Sequence, residues 1–92
     1  MNVYGKPMQA VNFICSATEA QSVSLVGDFN DWNPRANPMK QLADKAWTIR
    51  VEVKHGHHRY AFIVDDVLTL DPRAMGITRN DKGERVSLVA VS

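Results

Sequence analysis

Between Trp47 and Lys54 large apolar side chains fall on every second residue: Trp47, Ile49, Val51 and Val53 alternate with Thr48, Arg50, Glu52 and Lys54. A period of two places each set on its own face of a pleated backbone, so the segment reads as a half-buried β-strand. The same period recurs in Val11, Phe13 and Cys15, in Tyr60, Phe62 and Val64, and in Val86, Leu88 and Ala90. β-branched and aromatic residues dominate these runs, which suits a pleated, half-buried surface. No stretch carries a convincing helical period. Residues 73–80 have room for one short helical turn, and Gly76 argues against it.

Turn formers separate the runs. Ala20-Gln21-Ser22 follows the first, and the long loop Asp28–Pro38 carries Pro34 and Pro38. Lys54-His55-Gly56-His57 is a short glycine turn, and it predicts a hairpin between residues 46–54 and 57–65. Asp71-Pro72-Arg73 and Asn80-Asp81-Lys82-Gly83 break the chain again. Short strands spaced by about ten residues predict an all-β domain, a sandwich of about seven antiparallel strands, with an open barrel as the competing architecture. The expected core is Phe13, Leu25, Trp47, Val51, Tyr60, Phe62 and Leu88, with Ile63 and Val89 on the outer face.

The 92 residues form one domain, 1–92. A net charge of +1 argues against nucleic acid as a partner, because that electrostatic footprint needs a basic excess. Cys15 is the single cysteine, so no internal disulfide forms. The opening MNVYGKPMQ has no apolar core of a secretory signal, and no apolar run approaches the ~20 residues of a membrane span. The expectation is a cytoplasmic protein without a membrane partner. The chain opens on Met1 with no tag, which reads as a complete small protein rather than an excised domain.

Val23–Pro34, VSLVGDFNDWNP, is the segment with the most functional content. An apolar strand runs through Gly27 into a loop of turn-forming Asp and Asn residues that also holds Phe29 and Trp32. A loop this polar has no packing need for two aromatics: one folds back into a core, or one is displayed as a flat apolar surface. Trp47 and Tyr60, by contrast, belong to apolar strand faces and are expected in the core, the tyrosine hydroxyl reaching a polar partner.

Taken in order, GDFNDW, Ala46-Trp47, a glycine turn, Arg59-Tyr60-Ala61-Phe62-Ile63-Val64-Asp65, Asp71-Pro72 and a last glycine-turn strand resemble the glycogen- and starch-binding modules of carbohydrate-binding family 48. Such modules occur in the β subunit of AMP-activated protein kinase and at the N-terminus of isoamylases and glycogen-branching enzymes. The resemblance covers residues 10–91 and implies an immunoglobulin-like sandwich. It also implies a non-catalytic module that binds an α-glucan: glycogen, starch or a maltooligosaccharide. Trp32 holds the position of the tryptophan that stacks on glucose in sugar-binding members. Leu68 stands where a second tryptophan is usual, Ala61 where a lysine is usual, and Val86, followed by Ser87, where an asparagine is usual. One of four familiar sugar contacts is therefore retained.

A pyranose offers a C–H face to an aromatic plane and hydroxyls to fixed polar groups. Arg59 shares a strand face with Ala61 and has the reach to replace the missing lysine; Lys82, Glu84 and Arg85 lie near the last turn. The candidate carbohydrate-binding residues are Trp32, Arg59, Leu68, Lys82 and Glu84. The competing function is a module of the same fold that has lost sugar binding and docks on a protein partner, a homodimer included, through its strand edges.

His55-Gly56-His57-His58 raises a metal reading, but tetrahedral zinc wants about four ligands and the chain adds only Cys15, so a solvated turn is the better account. Asp28, Asp31, Asp65, Asp66 and Asp71 sit in turns, where backbone bonding explains them without paired acid–base chemistry. No catalytic residue, metal ligand or cofactor site is assigned.

Overall fold

Phe13, Cys15, Val23, Leu25, Met39, Trp47, Tyr60 and Phe62 meet in one buried cluster between two antiparallel sheets. The computed structural model describes residues 8–92. Its strands are β1 (Gln9–Cys15), β2 (Val23–Gly27), β3 (Lys40–Gln41), β4 (Trp47–Val53), β5 (Gly56–Val64), β6 (Val67–Thr69), β7 (Gly76–Arg79) and β8 (Arg85–Val91). The small sheet has the order β1-β4-β3; the large one runs β2-β5-β8-β7, with β6 also paired to β5. The fold is the expected β-sandwich.

The alternation places side chains as the sequence implies. Phe13 lies opposite Ile49 and Cys15 opposite Trp47, so β1 and β4 turn the same apolar face inward. Trp47 is 8% exposed, and its indole N–H donates to the Ala17 carbonyl at 3.0 Å. Tyr60 packs edge-on against Phe13 and Phe62, and its hydroxyl donates to the Asp71 carboxylate. The Asp71 backbone N–H donates to the hydroxyl of Ser87, itself fully buried, so the segment after β6 is tied to the core at two points.

Two expectations are corrected. The Lys54–His57 turn does not join a hairpin: β4 pairs with β1 and β3, whereas β5 pairs with β2, β6 and β8. The turn instead carries the chain from one sheet to the other, with Gly56 at φ 125°, a conformation that strains any residue with a Cβ. Leu88 lies opposite Arg59 and Gly76 on the outside of the large sheet, while Val89 packs against the core, so the expected faces of these two are exchanged. β8 is apolar on both faces, and alternation alone cannot choose between them. Residues 76–79 form an edge strand rather than a helical turn, because β8 offers them a ladder of hydrogen bonds.

Two features of the large sheet make room for a site. β5 changes partner along one edge: β8 covers Gly56–Tyr60 and β6 covers Phe62–Val64, leaving Ala61 at the junction. A second small cluster forms on the outer face there, where Val26, Ala61 and Val86 are all but completely buried beneath Trp32, Ile63 and Leu68.

Candidate functional site

The loop after β2 begins with Asp28, whose carboxylate does two jobs. One oxygen accepts the Arg59 backbone N–H at 3.0 Å; the other lies 2.8 Å from Nδ1 of His58. The Asp28 N–H in turn donates to the Arg59 carbonyl. The next residue, Phe29, turns inward: it packs against Phe13 and His58, and the absence of a Cβ at Gly27 leaves room for its ring. Asn30 fastens the loop to its own strand. Its Oδ1 accepts the Gly27 N–H, and its amide donates to the Leu25 carbonyl and to Oδ1 of Asn37 at 2.7–3.0 Å.

Asp31 and Trp32 then both take φ 57°, in the left-handed region that costs an L-residue roughly 1–2 kcal/mol. The Trp32 N–H donates to the Gly27 carbonyl at 3.0 Å. These anchors hold the indole over Val26, Ala61 and Val86 with part of its ring still open to solvent. The two loop aromatics thus divide the roles that the sequence leaves open: Phe29 enters the main core and Trp32 covers the outer face half-buried.

Trp32 forms one side of a cleft of about 600 Å³. Val26, Ile63 and Leu68 supply the apolar part of its lining, Asp31 and Asp66 flank it from two loops, and Asn80, Asp81, Lys82 and Glu84 close it from the β7–β8 turn. That turn is built on Asn80, whose Oδ1 accepts the N–H groups of Lys82 and Glu84 and whose amide donates to Glu84 Oε1 at 2.9 Å. Leu68 arrives through the two-residue connection Asp65-Asp66, both at positive φ, between Val64 and its partner Val67. Positive φ at both central residues is the mark of a type I′ hairpin turn. Asp65 also accepts the N–H groups of Gln21 and Ser22 at 2.9–3.0 Å.

Four of the five candidate residues therefore meet: Trp32, Leu68, Lys82 and Glu84 line one cleft. Arg59 does not line it. Its guanidinium donates to the Arg79 carbonyl at 3.0 Å and stands 3.6 Å from the Asp81 carboxylate, so it braces the turn from behind. Arg85 is outside the lining as well, and lies opposite Arg79. Ala61 and Val86 are buried under the indole and offer no polar atom of a side chain there. Asn80 was legible only as a turn former; nothing in its spacing says which sheet face that turn overhangs.

His58 stands against the base of the Trp32 loop, with an acceptor at each ring nitrogen. Burial disfavours its charged ring, but the hydrogen bond to Asp28, the Lys54 carbonyl 2.8 Å from Nε2 and the Asp28 charge outweigh that and raise its pKa above 6.5. Both ring nitrogens face acceptors, which a doubly protonated imidazolium satisfies. Tyr60 is also raised, first by burial and then by its bond to Asp71. Burial pushes the Cys15 thiol up. Among the described residues no three His, Cys, Asp or Glu side chains are grouped to hold a metal ion. No helix of the described residues is long and apolar enough to cross a membrane.

Comparison with known proteins is consistent along the first four-fifths of the chain. The family model for carbohydrate-binding module 48 (isoamylase N-terminal domain) matches residues 1–74. The match stops short of the Asn80–Glu84 turn. The chain is 41% identical over 73 residues to a 1,4-alpha-glucan branching enzyme GlgB 2 of Xanthomonas campestris, covering 73% of this chain and 10% of that protein. It is 33% identical over 66 residues to the 1,4-alpha-glucan branching enzyme GlgB of Photobacterium profundum, covering 72% of this chain and 9% of that protein. A third such enzyme, from Deinococcus radiodurans, is 42% identical over 57 residues, or 62% of this chain and 8% of that protein. The chain spans about a tenth of the length of the curated relatives it matches.

Proposed function

The chain belongs to the carbohydrate-binding module 48 family, and from that premise we propose that it is a non-catalytic α-glucan-binding module acting in the cytoplasm. The observation that carries this reading is the half-open indole of Trp32 beside a cleft that also presents Leu68, Lys82 and Glu84. The indole takes the C–H face of a glucosyl ring, Leu68 gives an apolar flank, and Lys82 and Glu84 bond hydroxyls. Arg59 enters only indirectly, by holding the β7–β8 turn through Arg79 and Asp81.

The expected affinity is modest. Aromatic stacking contributes on the order of 1–3 kcal/mol, judged from base stacking, whereas a millimolar complex already requires about 4 kcal/mol. With Leu68 and Ala61 at positions where the family often has a tryptophan and a lysine, one aromatic and a few hydroxyl contacts support binding near the millimolar range. Glycogen, with many chain ends per particle, raises that by avidity. Co-sedimentation with glycogen is the test: the wild type pellets with the polysaccharide and Trp32→Ala stays in the supernatant. Equal pelleting of both, or of neither, ends the reading.

A second reading, docking on a protein partner or on a second copy of the chain, draws on exposed apolar side chains elsewhere: Val67, Met75 and Ile77 are 62%, 64% and 55% exposed. Capture of a stable partner that added maltooligosaccharide does not displace favours it.

A further inference from the structure

The charge of the cleft is unlike that of the chain. Overall the protein carries +1, yet the cleft gathers four carboxylates, Asp31, Asp66, Asp81 and Glu84, against the single ammonium of Lys82. They come from three separate elements: the Trp32 loop, the β5–β6 turn and the β7–β8 turn. Asp81 has the Arg59 guanidinium 3.6 Å away, and Glu84 receives the neutral Asn80 amide. Asp31 and Asp66 have neither a salt bridge nor a side-chain hydrogen bond among the described residues, and both are exposed. Their charges act on whatever occupies the cleft.

We infer that this site selects the charge class of its sugar: it takes a neutral glucan segment and rejects one that carries a phosphate monoester. The inference rests on the proposed glucan-binding reading and adds a specificity to it. Uncharged hydroxyls donate to carboxylates without a Coulombic penalty. A phosphate monoester brings a charge of about −1.5 to −2 at neutral pH and only acceptor oxygens. A volume of about 600 Å³ is roughly 8 Å on a side, comparable to the screening length of about 8 Å at physiological salt. A phosphate bound anywhere in the cleft therefore lies within reach of most of these carboxylates and meets one lysine, with the Arg59 guanidinium held behind Asp81, so the negative charges still outnumber the positive.

The experiment is a titration followed by tryptophan fluorescence, with maltoheptaose and with maltoheptaose bearing one 6-phosphate, each at about 20 mM and about 500 mM salt. The expected result is binding at least tenfold weaker for the phosphorylated sugar at low salt, with the ratio falling toward unity at high salt. The ratio also narrows in the double variant Asp31→Asn, Asp66→Asn, whatever happens to the neutral affinity. Both substitutions suit the fold, since asparagine tolerates the positive φ of 57° and 69° at these positions. Equal or tighter binding of the phosphorylated sugar by the wild type overturns the selectivity and leaves glucan binding standing. A ratio that persists at high salt and in the double variant also overturns it, because the exclusion is then one of shape. Failure of both sugars to bind removes the underlying reading with it.

Discussion

Nδ1 of His58 lies 2.8 Å from the carboxylate of Asp28, the residue that opens the loop carrying Trp32. The opposite nitrogen faces the Lys54 carbonyl at 2.8 Å, in the segment that crosses between sheets. One ring thus joins the sheet crossing to the base of the candidate site, and it does so best when protonated. Because the folded-state pKa is raised, the stability from this link is fully present below the unfolded value near 6.5 and is lost as pH rises through the folded value. The stability difference between wild type and His58→Gln should be largest near about pH 6 and shrink by about 0.5–1 kcal/mol by about pH 8.5. Thermal unfolding across that window reads it as a few degrees in Tm. A difference that stays constant with pH contradicts the account.

Trp32 has a packing role that is separable from any ligand. It covers Val26, Ala61 and Val86, which are 2%, 0% and 0% exposed. Removing the ring in Trp32→Ala uncovers them and should cost about 1–3 kcal/mol, less than the 3–5 kcal/mol of a fully buried aromatic. Trp32→Phe keeps most of the cover and should cost less than half as much. Urea denaturation of the two variants measures the difference, and identical stability of both with wild type would mean that the indole shields nothing.

Gly27 is required by proximity rather than by dihedral angle. A Cβ there would stand 2.5 Å from the Phe29 ring and 2.8 Å from the Arg59 carbonyl oxygen. The ring can swing aside, but the carbonyl belongs to the backbone of β5. Gly27→Ala should therefore lose about 2 kcal/mol or more, at the upper end for an overpacked site. Gly83→Ala is the useful contrast: it has open space and only a φ of 80° to oppose it, and about 1 kcal/mol is expected. Denaturation midpoints at unchanged m-value compare them.

The β5–β6 turn is open to improvement at its second residue only. Asp66 sits at φ 69° with no side-chain partner among the described residues, so Asp66→Gly should relieve strain and stabilise by about 0.5–1 kcal/mol. Asp65, at φ 47°, holds the N–H groups of Gln21 and Ser22, and Asp65→Gly should destabilise instead. Opposite signs at adjacent residues of one turn, read as Tm shifts, are the signature; a shared sign refutes it.

The chain by itself determined its strands and its all-β class, and it singled out the loop that carries Phe29 and Trp32. Trp47–Val53 and Val11–Cys15 carry a period of two with one face strictly apolar, and the structure pairs them in that register. The resemblance centred on GDFNDW picked out Trp32 and Leu68, which are 36 residues apart, and position at the last turn picked out Lys82 and Glu84; all four line one cleft. What the tertiary structure alone decided is which strand faces which. A short glycine turn joins two strands equally well within a sheet or across a sandwich, so His55-Gly56 could not announce the crossing. In β8, Val86 to Val91 is nearly all apolar, and the choice to bury Ser87 and Val89 inward comes from Tyr60 on β5 and from Asp71 in the segment after β6. The cleft itself arises where β5 changes partners at Ala61. Local alternation records the neighbours of a residue along the chain, whereas the shape and the charge of that cleft depend on loops brought together by pairing across the sheet.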